Sequence, residues 1–320
     1  MQGVRYIFPV FLFTLWVLGG CSRRDILDDY PVSGVEISLD WDGVADQLPE
    51  GVRIIFYPKD GKSKKVDTYL SARGGKVKVP PGRYSVVVYN YDTETVQIRN
   101  EGSYETIEAF TGHCNGLGIA GTEKLIWGPD PLYVVNVEEL QIKKSDETLL
   151  LIWKPKLVVK TYTFKVKAEG LQYVSAIVGS VEGMASCYCL GRGCGMKGEA
   201  PIYFEAGIQG DEIIGSFTAF GVLEDMVARA ARGMVKMNFA FVKTDKTVQK
   251  VEVDITKVIA DSGGNEGENE EEDPPMEIEL PIEDEIKVEK PDNPSGGGEG
   301  GIGGEVGGWG DEEEVVLPVK

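Results

Sequence analysis

Catalysis at neutral pH usually depends on a positioned base, and this 320-residue chain contains one histidine, His113, directly before Cys114. Neighbouring side chains on a strand point to opposite faces, so this pair is poorly arranged to activate a thiol nucleophile. A glycosidase needs two carboxylates at a fixed separation, but many of the acidic residues lie in the tail, residues 261–320, where such geometry cannot be held. We therefore predict that the chain has no catalytic residues and is not an enzyme.

A second group of reactive side chains is the cysteine-rich stretch CYCLGRGC, residues 187–194. An even number of cysteines in an exported protein permits two disulfides, whose pairing the sequence does not fix. Closely spaced thiolates can also bind zinc, but structural zinc sites usually carry two C-x-x-C pairs, and this spacing differs. We predict a disulfide or thiol loop without a metal or cofactor, formed by Cys114, Cys187, Cys189 and Cys194.

The fifth cysteine, Cys21, follows a segment typical of export. The apolar run from Tyr6 to Gly20 is about 15 residues long, shorter than the roughly 20 that a membrane-spanning helix needs. Cys21 comes directly after Leu18-Gly19-Gly20, an arrangement that resembles the lipobox of bacterial lipoproteins, in which cleavage before the cysteine is followed by its acylation. The sequence predicts a signal peptide over residues 1–20, lipid attachment at Cys21 and a tether over residues 21–30. A plain cleaved signal is the alternative.

Acylation at Cys21 would decide where the mature protein resides. Each methylene buried in a bilayer contributes about 0.8 kcal/mol, and more than one acyl chain gives stable attachment. We therefore expect a lipid-anchored protein of the cell outer membrane, exposed at the surface, whose first partner is the membrane lipid itself.

The net charge of −19 is concentrated in the tail. Residues 261–320 contain 20 acidic residues and three lysines, whereas residues 22–260 contain 32 acidic and 29 basic residues. The body therefore has no basic field that would attract nucleic acid, and we predict no such partner. The tail opens with DSGGNEGENEEEDPP, a composition that favours a linker over a folded core.

The body shows the apolar and polar alternation of half-buried strands. In VEISLDW the apolar side chains all fall on one face, and VRIIFYP and KTYTFKVK repeat the pattern. The stretch KVKVPPGRYSVVVYNYD predicts a hairpin that turns at Pro80-Pro81-Gly82. Short strands that recur without long helices favour antiparallel sandwiches, with one short helix expected over residues 222–234.

Two apolar islands interrupt the acidic, glycine-rich tail. MEIELPIEDEIKVEKP alternates Ile278, Leu280 and Ile282, and a second island ends the chain. Such islands suit either a docking strand for a partner or strands that pack on the tail's own domain. The candidate docking strand consists of Val315, Val316, Leu317 and Val319.

Several stretches, in their order along the chain, resemble the fimbrillin-like lipoproteins of Bacteroidetes, in particular their anchor or accessory subunits and related gut lipoproteins. They are the lipobox cysteine, VEISLDWDG, LPEGVRIIFYPKDG, PPGRYSVVVYNYDTE, KPKLVVKTYTFKVKAEG, FTAFG and VEVDIT. The resemblance implies two tandem transthyretin-like, immunoglobulin-like β-sandwich domains, residues 31–155 and 156–260, followed by the tail, residues 261–320. It also implies a fimbrium subunit for cell adhesion that pairs with other fimbrial subunits by strand donation, a form of β-augmentation.

The sequence departs from polymerising members of that family, which are typically cleaved after an arginine in the first domain. Here Arg23 and Arg24 fall in the tether, and Arg53 lies inside a predicted strand. The absence of a convincing release site favours a permanently tethered subunit over a released shaft subunit.

The alternative function is a surface lipoprotein that binds a glycan, such as one on a host surface, because sugar faces pack on exposed aromatic rings. Core packing is nevertheless the expected role of each candidate ring. The candidates are Trp41, Trp127, Trp153, Tyr89 and Tyr91.

Overall fold

The computed structural model describes residues 33–45, 47–114, 124–198, 200–223, 235–263 and 277–291. Within these residues the chain forms twenty strands, one 3-10 turn at Leu171–Tyr173 and one α-helix. Two large curled sheets each enclose a hydrophobic core of their own. The predicted fold class, an all-β protein of two β-sandwich domains, is confirmed.

The described elements are as follows, in chain order: β1 Ser33–Leu39, β2 Gly51–Pro58, β3 Val66–Ser71, β4 Gly74–Val79, β5 Gly82–Asn90, β6 Val96–Arg99, β7 Glu108–Thr111, β8 Tyr133–Ile142, β9 Leu149–Trp153, β10 Lys156–Leu157, β11 Lys160–Glu169, β12 Val174–Glu182, β13 Cys187–Cys189, β14 Cys194–Met196, β15 Ile202–Gln209, β16 Glu212–Ala219, β17 Lys236–Lys243, β18 Val248–Asp254, α1 Thr256–Gly263, β19 Glu277–Pro281 and β20 Ile286–Lys287.

The first large sheet curls around one core in the strand order β10-β8-β5-β2-β3-β4-β1-β9. Its pairings are antiparallel except that β9 runs parallel to β1. The alternation predicted for the first strand is confirmed, because Val35, Ile37, Leu39 and Trp41 are all buried in this core. The indole N–H of Trp41 donates a hydrogen bond of 2.8 Å to the carbonyl of Ala72, which satisfies its only polar group.

The hairpin predicted over residues 76–92 is wrong. β4 pairs with β1 and β3, whereas β5 pairs with β2 and β8. Tight two-residue hairpin turns need positive φ values, which the fixed negative φ of proline excludes, so Pro80 and Pro81 carry the chain across the sheet instead. β5 then occupies the middle of the sheet, where its apolar run is buried on both faces.

A small sheet in the order β14-β13-β7-β6 joins the two halves of the chain. Its strands β6 and β7 precede residue 155 and its strands β13 and β14 follow residue 156, and β13 pairs directly with β7. Ile107 and Leu190 are fully buried and share a third core cluster with Ile55 and Val87 of the first large sheet. The two halves are therefore held together by backbone pairing as well as by apolar packing.

The second large sheet has the order β18-β17-β12-β15-β16-β11-β19, and β20 also pairs with β11. Both tail strands run parallel to β11, and β19 places Ile278 and Leu280 opposite Tyr162 and Phe164. Because these side chains are all buried in one cluster, the first apolar island of the tail packs on the second sheet.

Aromatic rings fill much of this second core. The ring of Phe204 on β15 contacts those of Phe164 and Phe239, with centroid separations of 5.2 and 5.6 Å. Gly179 lies opposite Phe204 in the β12–β15 pairing, and the ring passes so close to it that a Cβ at residue 179 would overlap the ring. A glycine is therefore required for this packing.

Two predictions about the body stay predictions. Residues 224–234, most of the expected short helix, lie outside the described residues. The domain limits at residues 31, 155 and 260 likewise rest on the sequence. Among the helices of the described ranges, none has the length and apolar character needed to cross a bilayer.

Candidate functional site: an open sheet edge and an aromatic pocket

The end strands of the second large sheet contact the helix and the tail. Helix α1 packs beside β19. On the opposite edge, the side-chain amide of Gln249 on β18 donates a 2.8 Å hydrogen bond to the carbonyl of Lys287 and accepts one of 2.8 Å from the N–H of Glu289. The tail strand β20 therefore lies close to the beginning of β18.

The first large sheet ends differently, at β9. Among the described residues this strand pairs only with β1, so its outer edge is open. Leu149 and Leu151 pack against the first core, whereas Leu150 and Ile152 point outward and are 57% and 66% exposed. An open strand edge with adjacent apolar side chains is the arrangement to which an additional strand can bind.

The cysteine-rich stretch forms the β13–β14 hairpin of the small sheet, where Cys189 lies directly opposite Cys194. The Nε–H of Arg192 donates to the sulfur of Cys189 at 3.3 Å. Residues opposite each other in an antiparallel pair have Cα atoms about 4.5 to 5.5 Å apart, within the range that a disulfide bridges. The structure shows the described cysteines as thiols, and the predicted disulfide is untested.

Cys187 lies on the same short strand as Cys189 but next to an ion pair. Arg99 binds Glu108 at 2.7 Å, and its guanidinium lies 4.0 Å from the sulfur of Cys187. Burial acts to raise the pKa of Glu108, but the hydrogen bonds from Arg99 and Cys187 outweigh it and hold that pKa below its ordinary value. The ion pair lies within the first half, and the contact with Cys187 extends it to the second half.

Cys114 lies outside the β13–β14 hairpin and beside His113, which forms an isolated bridge with Ile126. Burial raises the pKa of the Cys114 thiol to about 12, which leaves it protonated at neutral pH. A thiol must lose its proton to act as a nucleophile or a metal ligand. A protonated Cys114 thiol is poorly suited to either role at neutral pH.

A pocket of about 210 Å³ opens on the outer face of the first sheet, lined in part by Arg53, Tyr69, Tyr89, Tyr91 and Glu101. Arg53 donates to both carboxylate oxygens of Asp67 at 2.9 Å, to Glu101 at 2.6 and 3.1 Å, and to the hydroxyl of Tyr89 at 2.8 Å. The hydrogen bond with Asp67, partly opposed by desolvation and reinforced by Glu101, raises the pKa of Arg53.

The aromatic residues singled out from the sequence divide between core and surface. Trp41 and Tyr89 are buried, as expected for core residues. Trp153 packs partly against the first core, and Trp127 contacts Tyr203 with ring centroids 5.6 Å apart. Tyr91, in contrast, is 44% exposed.

Tyr69 was not predicted from the sequence, although it is 60% exposed and adjacent to Tyr91. The signal for it was the alternation in VDTYLS, which places Asp67, Tyr69 and Ser71 on one face of β3.

Two predicted sites lie outside the described residues. They are the lipid-attachment residue Cys21 and the candidate docking strand of Val315, Val316, Leu317 and Val319. Within the described ranges, no group of three or more His, Cys, Asp or Glu side chains is arranged to hold a metal ion.

The two cores and the joining sheet define a class of molecule: a two-domain β-sandwich protein. The chain belongs to the family described as "Domain of unknown function (DUF5119)", whose model matches residues 20–205. It is 54% identical, over the full length of both chains, to the "Putative fimbrium anchoring subunit Fim4B" of Bacteroides ovatus. The relationship to fimbrial proteins expected from the sequence is confirmed.

A solved structure shares the fold. The crystal structure of a protein described as "a putative adhesin" from Bacteroides ovatus ATCC 8483 is 55% identical to this chain. The match covers 86% of this chain and 99% of the other, with a TM-score of 0.72.

Proposed function

We propose that this chain is a fimbrium anchoring or accessory subunit that is tethered to the outer membrane by lipid and pairs with another fimbrial subunit through a β-strand. Its 54% identity over the full length to a protein named as a fimbrium anchoring subunit supports a role at the fimbrium and in adhesion. That relationship also supports a structural role, in which the protein binds its partners without converting them.

The open edge at β9 is the observation that carries the proposed pairing. A strand of a partner subunit would satisfy the outward N–H and C=O groups of β9 and lay its own side chains beside Leu150 and Ile152. The end strands of the second sheet, β18 and β19, instead contact the tail and helix α1. We therefore place the partner on the first sheet.

The proposed tether follows from the sequence around Cys21. Residues 22–32 separate this cysteine from β1. An extended chain of that length spans at most about 40 Å. An acylated Cys21 would thus keep the first sheet near the bilayer, where the base of a fibre is required.

Strand donation by this chain is the second part of the proposed assembly. Val315 to Val319 would pair with an open edge of a partner, at the end of an acidic, glycine-rich spacer. Its test is the deletion of residues 314–320. We expect weaker capture of the partner with unchanged stability of the second sheet, and unchanged capture would contradict donation.

The test of the open edge is a capture experiment with the full chain and fimbrial subunits from the same cells. Ile152→Glu places a charge beside the free edge, and we expect capture to fall at least tenfold because burying that charge against a partner strand is unfavourable. Ile208→Glu is the matched control, since Ile208 is 45% exposed on β15, away from the edge. Equal capture by both variants would contradict the proposed edge.

The test of the tether is metabolic labelling with a fatty acid. Cys21→Ser should abolish lipid labelling and release the protein from the membrane fraction. Labelling that survives this substitution would show that the lipid is attached elsewhere or that the chain is not acylated.

A further inference from the structure

Two exposed tyrosine rings meet on the outer face of the first sheet. Tyr69 on β3 is 60% exposed and Tyr91, just after β5, is 44% exposed. Their ring centroids are 5.3 Å apart and their planes are inclined by 81°, so that together they form an aromatic corner. Adjacent exposed aromatic rings beside a cavity are typical of binding sites.

The backbone beneath this corner is adapted to hold the rings. A Cβ on Gly51 would come within 2.7 Å of both the Leu70 carbonyl oxygen and the Tyr91 hydroxyl oxygen, so a glycine here leaves room for the Tyr91 ring beside β2. Tyr69 is paired in register with Arg53, whose guanidinium lies 5.6 Å from the centre of the Tyr69 ring. The corner is therefore formed before any ligand arrives, which lowers the entropic cost of binding.

Arg53 and Glu101 form the polar wall of the pocket and belong to an electrically balanced network of four charged residues. Two cations, Arg53 and Lys65, contact two anions, Asp67 and Glu101, so the local formal charge is zero. Each carboxylate accepts two hydrogen bonds from Arg53 and retains lone pairs for further donors. The wall can accept hydrogen bonds but does not select a charged ligand.

We propose that this aromatic corner, with the carboxylate of Glu101, binds a neutral carbohydrate. A pyranose ring has an apolar face of C–H groups that packs on an aromatic ring and hydroxyl groups that donate to carboxylates. The cavity of about 210 Å³ suits one or two sugar units of a longer chain. An anionic ligand would require an uncompensated cation, and Arg53 is already neutralised by its two partners.

A carbohydrate fits the pocket better than a protein partner does. Specific protein interfaces bury on the order of 800 Å² on each side and usually need a wide surface. The exposed rings here are confined to one corner that borders a small concavity. The site is also distinct from β9, so an anchoring subunit could engage a glycan and a fimbrial partner at the same time.

The experiment is a glycan array that carries neutral, sialylated and sulfated oligosaccharides, probed with the full chain and followed by calorimetry on the strongest neutral ligand. We expect binding to a neutral glycan, a loss of at least tenfold in affinity for Tyr69→Ala and for Tyr91→Ala, and near wild-type affinity for Tyr69→Phe, which keeps the ring. The matched control Ile208→Ala removes a comparably exposed side chain on the second sheet and should bind as the wild type does.

The two tyrosines are exposed, so their variants should keep the wild-type melting temperature, and lost binding then reports on the site. The proposal is overturned if no neutral glycan binds, if only charged glycans bind, or if both alanine variants bind as tightly as the wild type. Loss of fimbrial subunit capture in Tyr69→Ala, with glycan binding unchanged, would identify the corner as a protein interface and overturn it equally. None of these outcomes depends on the proposed pairing at β9.

Discussion

Leu280→Ala measures how much the second sheet depends on the tail strand β19. Leu280 is 1% exposed and lies opposite Phe164 of β11 in a parallel pairing. Truncating a side chain this deeply buried should lower the free energy of unfolding substantially. However, β19 is an edge strand, so its neighbours can move partly into the cavity left by the truncation. We therefore expect Leu280→Ala to lower the free energy of unfolding by about 3 kcal/mol, in the lower part of the range for buried Leu→Ala substitutions.

The assay is equilibrium unfolding in urea, monitored by a probe in the second domain. For a slope of about 2 kcal/mol per M, the midpoint should fall by roughly 1.5 M. Glu279→Ala is the control, because its side chain is 73% exposed on the other face of the same strand and should change stability by less than about 0.5 kcal/mol. If Leu280→Ala were as stable as Glu279→Ala, the packing of β19 against the second core would be contradicted.

Three further predictions concern other parts of the fold. Oxidised glutathione should join Cys189 to Cys194 in a disulfide, releasing two reduced glutathione molecules. The measurement is alkylation of the remaining thiols followed by peptide mapping. If both cysteines are still alkylated after the treatment, the cross-strand geometry is contradicted. The hydrogen bond from the neighbouring arginine lowers the pKa of Asp67, so its contribution to stability is full above about pH 4 and is lost as the pH falls through the lowered value. Asp67→Asn should therefore destabilise the protein at pH 7, and the difference from the wild type should shrink as the pH falls below about 4. A pH-independent difference would argue against the ion pair. Gly179→Ala should lower the free energy of unfolding by about 2 kcal/mol, because the added Cβ would overlap the Phe204 ring. Gly207→Ala is the control and should be nearly neutral, because there is open space around Gly207. Equal effects of the two substitutions on the melting temperature would refute this packing.

Local alternation predicted the strands and the faces that they bury. VEISLDW shows this most clearly, because a half-buried strand separates apolar from polar side chains with a period of two. The same reasoning could not assign neighbours, because strand order depends on contacts between residues far apart in the sequence. The Pro80-Pro81 turn illustrates this limit: it joins two strands that are adjacent in the chain but separated by β2 and β3 in the sheet.

The candidate sites were predictable to different degrees. The small joining sheet has strands of three or four residues, too short to produce a periodic signal, and its pairing of β7 with β13 links distant parts of the chain. The exposure of Leu150 and Ile152 likewise depends on β9 being the last strand of its sheet, which only the order of all eight strands reveals. The alternation along β3 could have identified Tyr69 as an outward residue, but not its contact with Tyr91.

The central claim is that a fimbrial subunit pairs with the open edge of the first sheet, and site-specific photo-crosslinking in intact cells tests it most directly. A photoreactive residue at position 152, beside the free edge of β9, should crosslink to a fimbrial subunit, whereas one at position 208 on the second sheet should not. Crosslinks to a fimbrial subunit from position 208 with none from position 152 would contradict the account.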